Sequence, residues 1–206
     1  MRNYFIAIWQ FVSYCMLAIP FRLILNIKRN KTVFLKSKGC ILVANHPSRI
    51  DPFIATYSLP LRQFLSVLPI RFVTAEKYMK IFPLKLVMAS FGAFSTQNKG
   101  GKKVLQVANE LLKRGETVFI FPRGFLEIND NKSNLTKVGA VYLQREIPSA
   151  PIIPIRITIS NCITLSNLVR RKIKTYVNYK SSVKYSNFSE DLQPLADDLM
   201  RKVYSK

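Results

Sequence analysis

The sequence predicts an α/β fold: a single domain with a mixed, largely parallel central sheet flanked by helices, preceded by an apolar N-terminal helical segment. Three observations carry this. Apolar runs of strand length alternate with helix-patterned segments through most of the chain, the pattern of a largely parallel sheet. The length, 206 residues, suits one domain of ordinary size. Residues Tyr4 to Leu25 hold one charge, Arg22, and are long enough to compare with the roughly 20 residues a bilayer span needs. The division expected is residues 1–30 as the membrane-embedding helical segment and 31–206 as the α/β domain.

The N-terminal segment comes first. Trp9, Tyr4 and Tyr14, with Lys28, Arg29 and Lys31 just beyond, have the character of interface anchors. Two membrane readings stay open: the helix lies in the interface or crosses the bilayer. Gln10, Ser13 and Pro20 weigh against crossing. A third reading is a helix packed on its own domain. The Lys-rich stretch at 28–38 is expected at headgroups on the cytoplasmic side if the segment inserts.

CILVANH then reads as a buried strand ending in a polar tip. DPFIATYSL reads as a helix, with Asp51 as N-cap candidate and Pro52 at the first helical position. IRFVTA at 70–75 is a second strand, EKYMKIFPLKLVMASF a helix interrupted near Pro83, and GAFST a short strand. KGGKKVLQVANELLKRGE spaces its apolar residues as an amphipathic helix, closed by Gly115. TVFIFPRG is a strand ending in a turn, 125–135 a polar loop, and TKVGAVYLQRE a helix. APIIPIRITIS is a proline-bearing strand, KIKTYVNYKSSVKYS a strand pair, and SEDLQPLADDLMRKVYS a C-terminal amphipathic helix.

Thirty-two Lys and Arg against eleven Asp and Glu give a net charge of +21. Such a surface seeks a polyanion, either nucleic acid or an anionic membrane. No helix-turn-helix, ribonucleoprotein or zinc-finger pattern is present, so nucleic acid is not an expected partner. Three cysteines at wide spacing, no CxxC pair and one histidine argue against a zinc-type site and fit a reducing, cytoplasm-facing location. No metal or tightly bound cofactor is expected.

His46 is the only histidine. Imidazole is the side chain best suited to proton exchange near neutral pH. Acyl transfer to an alcohol needs such a base, and a carboxylate that fixes its tautomer. The turn His46-Pro47-Ser48-Arg49-Ile50-Asp51 joins a strand end to a helix start and can bring Asp51 to the ring. No G-x-S-x-G elbow surrounds Ser48, so a bound hydroxyl substrate is preferred to an enzyme nucleophile. The bland alternative is a His46 that only supports Asp51 and its helix.

NHPSRID resembles the N-H-x-x-x-x-D block of the PlsC-like glycerolipid acyltransferases, the lysophosphatidic acid acyltransferase family. The likeness continues in order through TAEKYMKIFPLKLVMASFGAFST, VFIFPRG, TKVGA and APIIPIRI, roughly residues 35–160. The resemblance implies transfer of an acyl group from acyl carrier protein or coenzyme A, as co-substrate, to the free hydroxyl of a lysophospholipid such as lysophosphatidic acid. It implies His46 as base, Asp51 as its partner, and an α/β domain with an N-terminal membrane-embedding helical motif; with the cysteine usage and the Lys-rich stretch, membrane association at the cytoplasmic face is expected. Two departures stand out. Where the second block usually ends in a phosphate-binding Arg, this chain reads TQN, with Asn98 nearest that position. Where the third block usually reads FPEGT and then Arg, this chain has Arg123, Gly124, Phe125 and Leu126. Arg123 is expected to supply a phosphate-binding fork, with Arg49, Lys137 and Arg156 as further candidates and Gly124 permitting close backbone approach. The altered block also admits a different lyso-lipid acceptor, or a catalytically silent lipid-binding relative.

Overall fold

The computed structural model describes residues 2–30, 39–95, 100–127 and 136–205. Seven strands form one sheet: β1 (Ile27–Arg29), β2 (Ile41–Ala44), β3 (Ile70–Thr74), β4 (Ala93–Ser95), β5 (Thr117–Ile120), β6 (Ile152–Ile159) and β7 (Thr175–Tyr179). Their order is β1-β7-β6-β2-β5-β3-β4. All neighbouring pairs are parallel except β6 and β7. The sheet is therefore mixed and largely parallel.

The helices are α1 (Arg2–Ile24), α2 (Asp51–Ser58), α3 (Leu61–Ser66), α4 (Glu76–Met79), α5 (Leu84–Ser90), α6 (Gly100–Lys113), α7 (Gly139–Glu146), α8 (Leu165–Val169) and α9 (Gln193–Tyr204). Alternation along the central strands makes two cores, as a pleat must. Leu42, Ala44, Phe119 and Ile155 face Tyr14, Ala18, Ile54 and Phe64 of α1, α2 and α3. Ile41, Val43, Val118 and Ile152 face Ala108, Leu143 and Leu199 of α6, α7 and α9.

Helix α1 is inside out. Its polar side chains face the domain: Gln10 and Ser13 are buried, while Phe5, Ile8, Met16, Ile19 and Leu23 are exposed. Gln10 bonds the backbone of Ile70 and the carbonyl of Phe91. The Ser13 hydroxyl meets that of Tyr57 at 2.7 Å. Arg22 donates to the carbonyls of Tyr57 and Leu59 and to the Tyr14 hydroxyl. The one described helix long and apolar enough to cross a membrane is this one, over Tyr4–Ile24.

Four differences from expectation have local causes. The second strand of the expected pair reduces to one bridge, Val183 to Ile152. Pro154 in β6 has no N–H to donate there, so the ladder breaks after β7. Asp51 is not the N-cap of α2: Ile50 takes that position without a side-chain bond, and the Asp51 carboxylate turns backward instead. Part of the Lys-rich stretch is strand β1, held at the sheet edge where Asn30 bonds both backbone groups of Tyr179; residues 31–38 lie outside the described residues. Helices α3 and α8 are too short for a periodic signal.

Candidate active site

Strand β2 delivers the site. Just past its end, Asn45 is pinned to β6, its amide donating to the Ile157 carbonyl at 2.9 Å and accepting from the Ile157 N–H at 2.7 Å. His46 follows, at the carboxyl edge of the sheet, where α/β folds place their sites. The chain then turns through residues 47–50 and enters α2 at Asp51.

Asp51 is fully buried and accepts three hydrogen bonds. His46 Nδ1 donates to Oδ2 at 2.9 Å, the Ser48 N–H to Oδ2 at 2.8 Å, and the Ser48 hydroxyl to Oδ1 at 2.5 Å. An ionised carboxylate only accepts, so Nδ1 carries the proton and the Nε2 lone pair is left for a substrate. The His46 side chain is 20% exposed. Burial pushes the Asp51 carboxyl above the usual carboxylate range, while the bonds from His46 and Ser48 act against that shift. A more basic carboxylate holds the imidazole proton more firmly and stabilises an imidazolium.

The turn after β5 covers the other side. Phe121 stacks on the imidazole, ring centres 4.0 Å apart and 16° from parallel. The Glu127 N–H donates to the His46 carbonyl at 2.8 Å. The ring is thus fixed by a bond at one nitrogen and an aromatic face.

Of the other residues singled out in the sequence, Arg123, Gly124 and Lys137 come together at this turn. Gly124 sits at φ +70, and a Cβ there would meet Lys137 Nζ at 2.7 Å. The positive φ favours glycine, while a Cβ there would only displace the mobile end of the Lys137 side chain. The Lys137 N–H bonds the Pro122 carbonyl. Arg123 lies 3.6 Å from the Glu127 carboxylate and 5.0 Å over the Tyr204 ring. Arg49 is exposed on the turn between His46 and Asp51. Arg156 is drawn away, donating to the Tyr204 carbonyl at the end of α9. Asn98 lies outside the described residues.

Three neighbours of the pair escaped the sequence reading. Ser48 does carry a local signal, because S-R-I-D is a Ser followed three residues later by an acid, the pattern of a helix-start box. Phe121 and Glu127 carry no local signal, because their contacts with His46 depend on β2 and β5 lying side by side.

A single imidazole hydrogen-bonded to a buried carboxylate at the carboxyl edge of the sheet is an arrangement able to accept a proton. The chain belongs to the acyltransferase family: the model of that family, described as Acyltransferase, matches residues 26–158. Its fold is similar to that of the 1-acyl-sn-glycerophosphate (LPA) acyltransferase PlsC from Thermotoga maritima, with a TM-score of 0.68 and 18% identity over 94% of this chain and 76% of that one. Among curated proteins, no sequence matches the chain.

Proposed function

We propose that this acyltransferase moves a fatty acyl group from an acyl thioester, on acyl carrier protein or coenzyme A, to the free hydroxyl of a lysophospholipid such as 1-acyl-sn-glycerol-3-phosphate. The observation that carries the reading is the 2.9 Å bond from His46 to the buried Asp51, which leaves Nε2 as the base. Nε2 takes the proton of the acceptor hydroxyl as its oxygen attacks the thioester carbonyl. The tetrahedral intermediate collapses with loss of the thiolate, which takes the proton back from Nε2. An ester and a free thiol result, and Asp51 stays ionised beside the transient imidazolium.

The acceptor phosphate is assigned to Lys137 and Arg49, neither of which has a carboxylate partner among the described residues. Arg123 is a third cation, already partly neutralised by Glu127. This set differs from the family's usual phosphate clamp, so a lyso-lipid with another headgroup is the second reading. The likeness to the Thermotoga maritima lysophosphatidate enzyme supports the first.

The reaction is assigned to a membrane surface on the cytoplasmic side. Exposed large apolar side chains along α1 each forgo about 1.5–3 kcal/mol of burial in water, which a bilayer returns. The inward polar face and its bonds to the domain favour a helix lying in the interface over one that leaves the domain to span.

The test is a mass-spectrometric screen of lyso-lipid acceptors with both donor types, using wild type and His46→Ala. Product that depends on His46 supports the proposal. Lipid binding without thioester consumption over the whole panel identifies a silent lipid-binding relative instead.

A further inference from the structure

Between Glu146 and Glu190 the sequence contains no Asp or Glu. Within that stretch, residues 160–174 connect β6 to β7. Because β6 runs parallel to β2, this connection projects from the same carboxyl edge of the sheet as His46. It is internally braced. Asn161 donates to the Lys172 carbonyl at 2.7 Å, Asn167 to the Cys162 carbonyl at 2.9 Å, and Thr164 caps α8.

Two features of this connection lack partners. Leu165 and Val169, one helical turn apart on α8, are 78% and 75% exposed. Beside them, Arg170, Arg171, Lys172 and Lys174 are all exposed. None of the four has an acidic partner among the described residues. Two exposed apolar side chains flanked by four free cations match the boundary between the acyl region and the headgroups of an anionic leaflet.

The connection shares an apolar cluster with α1. Ile163 and Leu168 pack on the same apolar cluster as Tyr14, Ala18 and Phe21. Thr175, at the start of β7, pairs with Ile27 and donates to the Asn26 carbonyl. The exposed Leu23 and Ile24 at the end of α1 are therefore followed at once by the strand that abuts this connection.

We propose that residues 160–174 form a second membrane contact, with Leu165 and Val169 entering the apolar edge of an anionic leaflet and Arg170, Arg171, Lys172 and Lys174 binding its headgroups. This rests on the reading that the enzyme works at a bilayer. Two attachments, one on α1 and one on α8, fix the tilt of the domain as well as its distance from the lipid. The carboxyl edge carrying His46 is then held toward the membrane.

The chain carries its own reporters. Cys162 lies in the connection and Cys15 on the outward face of α1, and both are exposed. Cys40 is buried, with its thiol pushed up to about 11, and stays unlabelled. A nitrobenzoxadiazole label is placed on Cys162 in Cys15→Ser and, separately, on Cys15 in Cys162→Ser. Both full-length proteins are mixed with phosphatidylcholine vesicles with and without phosphatidylglycerol. The proposal expects the Cys162 label to shift to the blue on anionic vesicles and to lose that shift in L165S/V169S. It expects R170Q/R171Q/K172Q/K174Q to bind anionic vesicles about tenfold or more weakly, at low ionic strength. These side chains are all exposed, so an unchanged thermal transition checks the fold of each variant. A silent Cys162 label beside a responding Cys15 label overturns the proposal and leaves the membrane reading standing. Silence from both labels removes the membrane reading and the proposal with it. A Cys162 label that responds to acidic acyl carrier protein but not to vesicles assigns the surface to a protein and overturns the proposal.

Discussion

The side chain of Gln10 pairs with both backbone groups of Ile70: its amide nitrogen donates to the Ile70 carbonyl at 2.7 Å and its carbonyl accepts the Ile70 N–H at 2.9 Å. A residue of the N-terminal helix thus completes the hydrogen bonding of β3 where that strand begins. The same nitrogen also reaches the Phe91 carbonyl at 2.8 Å. Helix and sheet are joined by polar bonds, and the lipid-like face of the helix is left outside.

Gln10→Leu therefore strands a buried N–H and carbonyl of Ile70. The expected cost is about 2–4 kcal/mol, as two backbone groups lose their partners. Urea unfolding in a fixed detergent measures it. A change below about 0.5 kcal/mol, the range of ordinary surface substitutions, would show that water replaces the side chain.

Asp51→Asn keeps the shape of the pair and reverses its logic. An amide oxygen is a weaker acceptor than a carboxylate, and its nitrogen can donate to Nδ1 and move the ring proton to Nε2. Turnover is expected to fall by about 10²–10⁴-fold, with the acceptor KM little changed. A near-normal kcat would remove Asp51 from the mechanism.

Ser48→Ala removes the hydroxyl bond to Asp51 Oδ1. That bond lowers the Asp51 pKa against burial, so its loss raises the carboxyl further. A carboxyl whose folded value lies above its unfolded value costs stability as pH climbs from the unfolded value, about 3.9, through the folded one. The variant should lose about 1–3 kcal/mol near neutral pH and less in acid below the unfolded value. If turnover needs the Asp51 carboxylate ionised, the acid limb of kcat should move to higher pH. An unmoved limb with lowered stability would make Ser48 purely structural.

Lys137→Ala leaves the base untouched and removes an ammonium that lies against Gly124. The KM for a phosphate-bearing acceptor should rise about tenfold, the worth of one charge-assisted bond of about 1.5 kcal/mol. The thioester KM should not move. Equal effects on both substrates would assign Lys137 to the loop's structure.

The parts legible in the sequence are those with a local physical signature. Ile41 to Ala44 form a buried run, the Pro83 break divides α4 from α5, and Gly115 ends α6 as its position predicts. His46 and Asp51 lie five residues apart, so their meeting needed only a turn. What the sequence hid was set by tertiary neighbours. Phe121 reaches His46 because β5 lies beside β2. Arg123 meets Tyr204, 81 positions on in the sequence. Gln10 and Ser13 read as blemishes in an apolar helix, and their role emerges only with Ile70 and Tyr57 in place.

The inverted α1 also constrains how the protein is made. Its polar side chains find partners in residues synthesised much later: Arg22 bonds Tyr57, 35 positions on, and Gln10 bonds Phe91, 81 positions on. During translation the helix emerges before these partners, greasy on one side and unsatisfied on the other. It must wait, shielded, until the segment through Phe91 has emerged. Helix α1 can therefore be seated only once the segment through Phe91 is available, and a generic hydrophobic anchor grafted in its place would supply the grease without the fastening.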